Sequence, residues 1–217
     1  MFDDLDATLG ELLSRELPSS WVKRVGISFA TPGGDFPTTS VTLPAVNLFL
    51  YEILENKDLR NRDPIQARAG GRLDASASGP GGQVPPGTVL QALAPVRVDC
   101  HYLVTAWGNP QDDHPETSEH RLLGYVLRAL LRHREIPASM LQGSLKRQPL
   151  PVRTAAIQSD AQKPRGDFWQ ALGGKPRACF DYRVTVCVEL GELEEVGPSA
   201  WESVVLPPSA PRSAESP

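Results

Sequence analysis

Val96-Arg97-Val98-Asp99-Cys100-His101-Tyr102-Leu103-Val104-Thr105-Ala106-Trp107 is the stretch on which the fold turns. Val96, Val98, Cys100, Tyr102, Val104 and Ala106 alternate onto one side, the period of a β-strand. The other side opens polar with Arg97, Asp99 and His101 and turns apolar at Leu103 and Trp107. Gly108-Asn109-Pro110 stops the strand, because Gly and Asn suit a turn and Pro cannot donate to a ladder. After an acidic loop, Leu122, Leu123, Val126, Leu127, Leu130 and Leu131 recur every three or four residues, which predicts an amphipathic helix over 118–134. Arg121, Arg128, Arg132 and Arg134 fall on its other side. A strand joined through a loop to such a helix is a core-forming unit without visible chemistry.

Working outward, Leu5, Leu9, Leu12 and Leu13 form one apolar stripe, joined by Phe2, and predict a helix over 2–16. Asp3, Asp4 and Asp6 sit in its first turn, where the helix dipole favours negative charge. Val25, Ile27 and Phe29 alternate as a half-buried strand over 24–30. In 45–53, Val46, Leu48 and Leu50 fall on one face and Phe49, Tyr51 and Ile53 on the other. A strand apolar on both faces is covered on both, so it is placed centrally in the sheet. Asn47 either marks the entry of that strand or bonds a neighbouring loop. Phe180 to Leu190 is the clearest period-two run, with Asp181, Arg183, Thr185 and Cys187 on its second face. Shorter elements are a turn at 137–143, a strand at 152–157 and a helix at 167–172 that buries Phe168, Trp169 and Leu172. Asp160 or Gly166-Asp167 is its candidate cap, and Gly173-Gly174 ends it. Together these predict an α+β (α/β) fold: a mixed, largely antiparallel central sheet flanked by two main helices.

Residues 1–190 read as one domain, interrupted at about 68–88 by a Gly/Pro/Ser-rich insertion that cannot bury much apolar surface. Its flanks, Leu59 to Ala67 and Val89 to Pro95, suit the two sides of an extended hairpin. Residues 191–217 read as a Pro/Ser-rich tail, the last ten disordered.

The net charge of −4 argues against a nucleic-acid-binding surface. No apolar run is long enough to span a membrane. The acidic start Met1-Phe2-Asp3-Asp4 is not a signal peptide. Cys179 and Cys187 stand roughly 26 Å apart in extended chain, beyond disulfide reach, which fits a reducing compartment. His114 and His120 match no zinc spacing, and Cys100 and His101 point to opposite faces of one strand. That pair reads as a buried thiol and a surface imidazole. Asp112, Asp113 and Glu116 read as an acidic helix start rather than a cation site. Trp107 and Trp169 read as core aromatics. No catalytic residue, metal ligand or cofactor site is assigned. A small hydrolase or metal-dependent enzyme using His101, His120 and the Asp112-Asp113 pair is the competing class.

Five ordered stretches carry a resemblance. They are Phe2 to Leu9; Val46-Asn47-Leu48-Phe49-Leu50-Tyr51 with Asn56; Val98 to Trp107, including Asp99, His101 and Tyr102; His120-Arg121-Leu122-Leu123-Gly124; and Asp167-Phe168-Trp169-Gln170-Ala171-Leu172. In order and spacing they resemble the cap, or tail-terminator, family of extracellular contractile injection systems, phage-tail-like particles of the antifeeding-prophage and virulence-cassette type. The resemblance implies a non-enzymatic ring, a hexamer, closing the distal end of a sheath and inner tube after assembly in the cytoplasm. Sheath, tube and other copies of the chain are the implied partners, with neither nucleic acid nor membrane. Leu59, Arg60, Ile65, Val89 and Leu90, on the flanks of the insertion, are the expected subunit contacts. A monomeric assembly adaptor of the same particle is the alternative within that machine.

Overall fold

β-Branched and aromatic residues in strict alternation set the middle of the molecule. In the computed structural model, which describes residues 1–60, 65–68, 88–157, 166–191 and 194–198, Val96–Trp107 is one unbroken strand, β5. The other elements, in chain order, are α1 (Phe2–Glu16), α2 (Ser19–Val22), β1 (Gly26–Ser28), β2 (Ala45–Glu55), β3 (Ile65–Arg68) and β4 (Thr88–Ala92). After β5 come α3 (Pro115–Leu131), a 3-10 turn (Gly143–Arg147), β6 (Arg153–Ala156), α4 (Gly166–Ala171), β7 (Cys179–Val188) and β8 (Glu194–Pro198). Backbone contacts divide them into two units.

The first unit, residues 1–60 and 96–188, holds a five-stranded sheet in the order β1-β2-β5-β7-β6. β1 runs parallel to β2, and every other pair is antiparallel. The fold is therefore the mixed α+β sheet that the periodicities predict. α1 and α3 pack on the face presented by Cys100, Tyr102 and Val104 of β5. Leu5, Leu9, Leu12 and Leu13 meet Leu122, Val126 and Leu130 there, together with Tyr182, Val184 and Val186 of β7. Burying each such aliphatic side chain is worth about 1.5–3 kcal/mol, so this layer dominates stability. Tyr102, buried with its hydroxyl, donates to Asp6 Oδ1 at 2.8 Å and so fixes α1 on the sheet.

The centre belongs to β5, not β2. β1 pairs only with Ala45, Val46 and Asn47, and β2 runs out to exposed Ile53 and Leu54. A bulge between Leu50 and Glu52 explains why alternation misplaces its end. Leu50 pairs with Tyr102, but Glu52 pairs with His101 and Ile53 with Cys100. One extra residue, Tyr51, reverses the parity, so Ile53 shares the side of Cys100 rather than that of Tyr51.

Other boundaries move for local reasons. α3 begins at Pro115 rather than 118, since a proline at the first helical position gives up no hydrogen bond. It ends at Leu131 rather than 134. Beyond that point the chain is drawn into a ladder: Thr154 N donates to Arg134 O at 2.8 Å, and Ile136 N to Val152 O at 2.9 Å. β7 stops at Val188, leaving Leu190 exposed. Two short elements have too little pattern to read: α2, and the 3-10 turn that buries Leu145. At Gly143 φ is 52°, and a Cβ would lie 1.7 Å from Asp4 Oδ1, so only glycine fits where Asp4 accepts hydrogen bonds from the Ser144 N–H and hydroxyl.

The second unit is a three-stranded sheet in the order β3-β4-β8. The flanks of the insertion do form a hairpin: Ile65 pairs with Ala92 and Arg68 with Val89. Its third strand, β8, comes from a region read only as tail and pairs antiparallel with β4. The insertion itself (69–87), Asp160 with the side chain of Asp167, and the last ten residues lie outside the described residues.

Candidate functional site

The sheet face turned away from α1 and α3 carries the polar residues of β2, β5 and β7. Asp181 of β7 is its first focus. Tyr51, which alternation from Phe49 puts on this face, donates its hydroxyl to Asp181 Oδ1 at 2.7 Å. His101 Nδ1 stands 3.4 Å from Asp181 Oδ2. His101 is 9 % exposed, so it is a buried imidazole and not the surface one expected. Its hydrogen bond to Asp181 raises its pKa against the opposing cost of burial, and the Glu52 and Asp99 carboxylates add to the rise. Burial, then Asp181, pushes the Tyr51 phenol up.

Asp99 is the second focus. Its carboxylate accepts from Asn56 Nδ2 at 3.0 and 3.1 Å and from Thr185 Oγ1 at 2.6 Å, with Arg183 Nη1 3.7 Å away. Asn56 also accepts from the Leu59 N–H through its side-chain oxygen, at 3.0 Å. It thereby fastens the end of β2 to the middle of the sheet. Asn47 bonds a loop, its Nδ2 donating to Ala30 O at 2.9 Å, which decides between the two readings of that residue.

Toward the other end, aromatic residues cover the face. Phe168 meets Tyr51 edge-on with centroids 6.0 Å apart, and Trp169 is 3 % exposed. Phe36 packs edge-on against Trp107 at 4.6 Å. The Arg177 guanidinium lies 3.5 Å from the centroid of the Trp107 ring and donates to Ala106 O at 3.0 Å. It also pairs with Glu119 Oε1 at 3.1 Å, and that carboxylate accepts from the Gly108 N–H at 3.0 Å. The end of β5, the start of α3 and the loop before β7 are thus tied at one point.

The arrangement is built to hold shape. Burial pushes the Cys100 thiol up to about 12 and the Cys179 thiol upward, so neither is a ready thiolate near neutral pH. His101 and His120 lie on opposite sides of the sheet, one in the polar face and the other exposed on α3. The residues of the enzyme reading are therefore not brought together. Asp112 accepts from Ser118 Oγ at 3.3 Å, and Glu116 lies 3.7 Å from His114 Nδ1, contacts of a helix start. Among the described residues there is no group of three His, Cys, Asp or Glu side chains able to hold a metal ion. Nor is any helix long and apolar enough to cross a membrane.

Of the other singled-out residues, Leu48 and Leu122 are fully buried, and Leu123 packs partly against the core. Phe49 is half-buried, and Arg121 and Gly124 are exposed. The expected subunit contacts fall in both units. Leu59 is 37 % exposed and Arg60 pairs with Glu55. Ile65 lies on β3, and Val89 and Leu90 on β4, opposite Arg68 and Ala67. Asp181, Thr185 and Arg177 were not singled out. The first two showed as polar positions of an alternating strand, a signal of placement but not of partners.

Comparison with known proteins gives the following. No curated protein matches the sequence. The fold is similar to that of the PVC sheath/tube terminator in its extended state, from an extracellular contractile injection system. The TM-score is 0.61 and the identity 23 %, over 100 % of this chain and 65 % of that one. It is also similar to the anti-feeding prophage cap, the AFP tube terminating cap, with a TM-score of 0.57 and 23 % identity over 92 % of this chain and 59 % of that one. The chain spans less than two thirds of the length of either protein. At that identity the likeness is one of fold. Residues 4–200 match the family model of the Pvc16 N-terminal domain, so the chain belongs to that family.

Proposed function

We propose that the protein is a structural cap, a tail terminator that closes the distal end of the sheath and inner tube of a contractile injection system as a ring of six copies. The observation that carries this reading is the fold it shares with two proteins described as a sheath/tube terminator and a tube terminating cap, beside its match to the Pvc16 N-terminal domain. The site chemistry supports it. Buried carboxylates are spent on holding strands and loops, and the thiols are held protonated. Sheath, inner tube and neighbouring copies are the partners, and assembly precedes any release of the particle. A closed ring joins unlike patches head to tail.

Deletion in the producing cell, followed by electron microscopy, tests the proposal. Loss of the terminator gives sheaths of uncontrolled length or unstable, precontracted ends. Particles of normal length with normally closed ends in the deletion strain overturn it, and leave the adaptor or enzyme readings.

A further inference from the structure

Two exposed features of the first unit are complementary. On the outward side of α3, Gly124, Leu127 and Leu131 line a shallow groove with Arg128. Gly124 leaves it open, since a Cβ there would meet nothing within 4 Å. Leu131 is 53 % exposed. Arg128 is exposed and has no carboxylate within ion-pair reach among the described residues, whereas neighbouring Arg132 is engaged by Glu16. The second feature is the free end of β2, Glu52-Ile53-Leu54-Glu55. Ile53 and Leu54 are 44 % and 49 % exposed and stand between two carboxylates. Aliphatic side chains left in water on a strand end beside the Glu52 carboxylate, with Glu55 held by Arg60, match an aliphatic groove edged by an unpaired guanidinium.

We infer that the Ile53-Leu54 end of β2 in one copy docks into the Gly124/Leu127/Leu131 groove of α3 in the next. The inference rests on the ring reading and supplies its contact. The two patches lie on different elements and share no residue, as a head-to-tail interface requires. Aliphatic burial provides the attraction. Glu52, facing Arg128, sets which way round the strand end enters, because charge complementarity across an interface fixes register. The bulge at Tyr51 is what turns Ile53 away from the polar face.

Cysteine cross-linking on assembled particles tests it. Leu54→Cys and Leu131→Cys both replace exposed side chains. Under mild oxidation, particles carrying both substitutions in every copy should give a ladder of linked species ending at the closed ring. Particles built from a mixture of the two single variants should give linked dimers and nothing larger. Normal particle ends with no linked species overturn the docking and leave the terminator reading standing; normal ends without the protein at all overturn that reading instead. Arg128→Glu is the second variant. Its thermal midpoint as an isolated chain should be unchanged while properly closed ends fall at least tenfold in number. Normal ends in that variant also overturn the docking.

Discussion

Asp181 shows how much a single side chain can carry here. It accepts from Tyr51 and stands beside His101, so its loss leaves two buried polar groups without a partner. Asp181→Leu, which removes both oxygens where Asn would keep an acceptor, should therefore destabilise the fold by about 1–3 kcal/mol in urea titration, the cost of leaving such groups unsatisfied. The imidazole also gives a pH signature. Its folded pKa lies above the 6.5 of a free imidazole because of Asp181. A raised folded pKa means that the folded state binds the proton more tightly than the unfolded one. The stabilisation is then fully present below 6.5 and is lost as pH rises through the folded value. Titrated against His101→Gln, the protein should show its largest stability advantage on the acid side, shrinking upward; an advantage that grows with pH would contradict the assignment. Arg177→Ala should cost about 0.5–2 kcal/mol through the lost Trp107 stacking, beyond what the exposed part of its ion pair contributes. These contacts were not readable in sequence. Asp181 is separated from Tyr51 by most of the chain, and period-two alternation places a side chain on a face without naming what it meets there.

Elements were legible in proportion to the length of their pattern. β5 was read to the residue, because twelve residues of alternation leave no second register. β2 was read in its first half and misread in its second, where one inserted residue turns alternation over. Boundaries at Leu131 and Val188 depended on tertiary ladders that no local signal announces. The four-residue α2 and the five-residue 3-10 turn are too short to carry a period at all. The sharpest test at this scale is Leu48→Asp. Leu48 is 0 % exposed on β2, and an unpaired carboxylate there costs several kcal/mol against a total stability of about 5–15 kcal/mol. Soluble expression should be lost, and a soluble, cooperatively melting variant would show that β2 is not core.

On the scale of the whole molecule, six copies in the proposed ring, each carrying a formal charge of −4, would repel one another, so apolar and backbone contacts must supply the surplus. Such contacts are not screened by salt, while the repulsion is. Ring formation should therefore strengthen or hold as ionic strength rises, measured by counting closed ends across a salt series; collapse at high salt would point to an interface held by ion pairs. The resemblance was legible in sequence because its motifs lie in the first unit, most of them on its long strands and helices. The second sheet was harder to read, since β3, β4 and β8 are each four or five residues long and flank segments without a period.

The pairing of β4 with β8 has a consequence for the chain as it is made. Synthesis delivers β3 and β4 early, and they can close as a hairpin at once. Their third strand follows only after the whole five-stranded sheet has left the ribosome. Until then one edge of β4 lacks the strand that will cover it. A pause late in translation, or a polysome crowded with sister chains, gives a foreign strand time to take that edge first. Codon usage between the stretches that encode β4 and β8 is thus a place where yield and fidelity can be set without changing a single side chain.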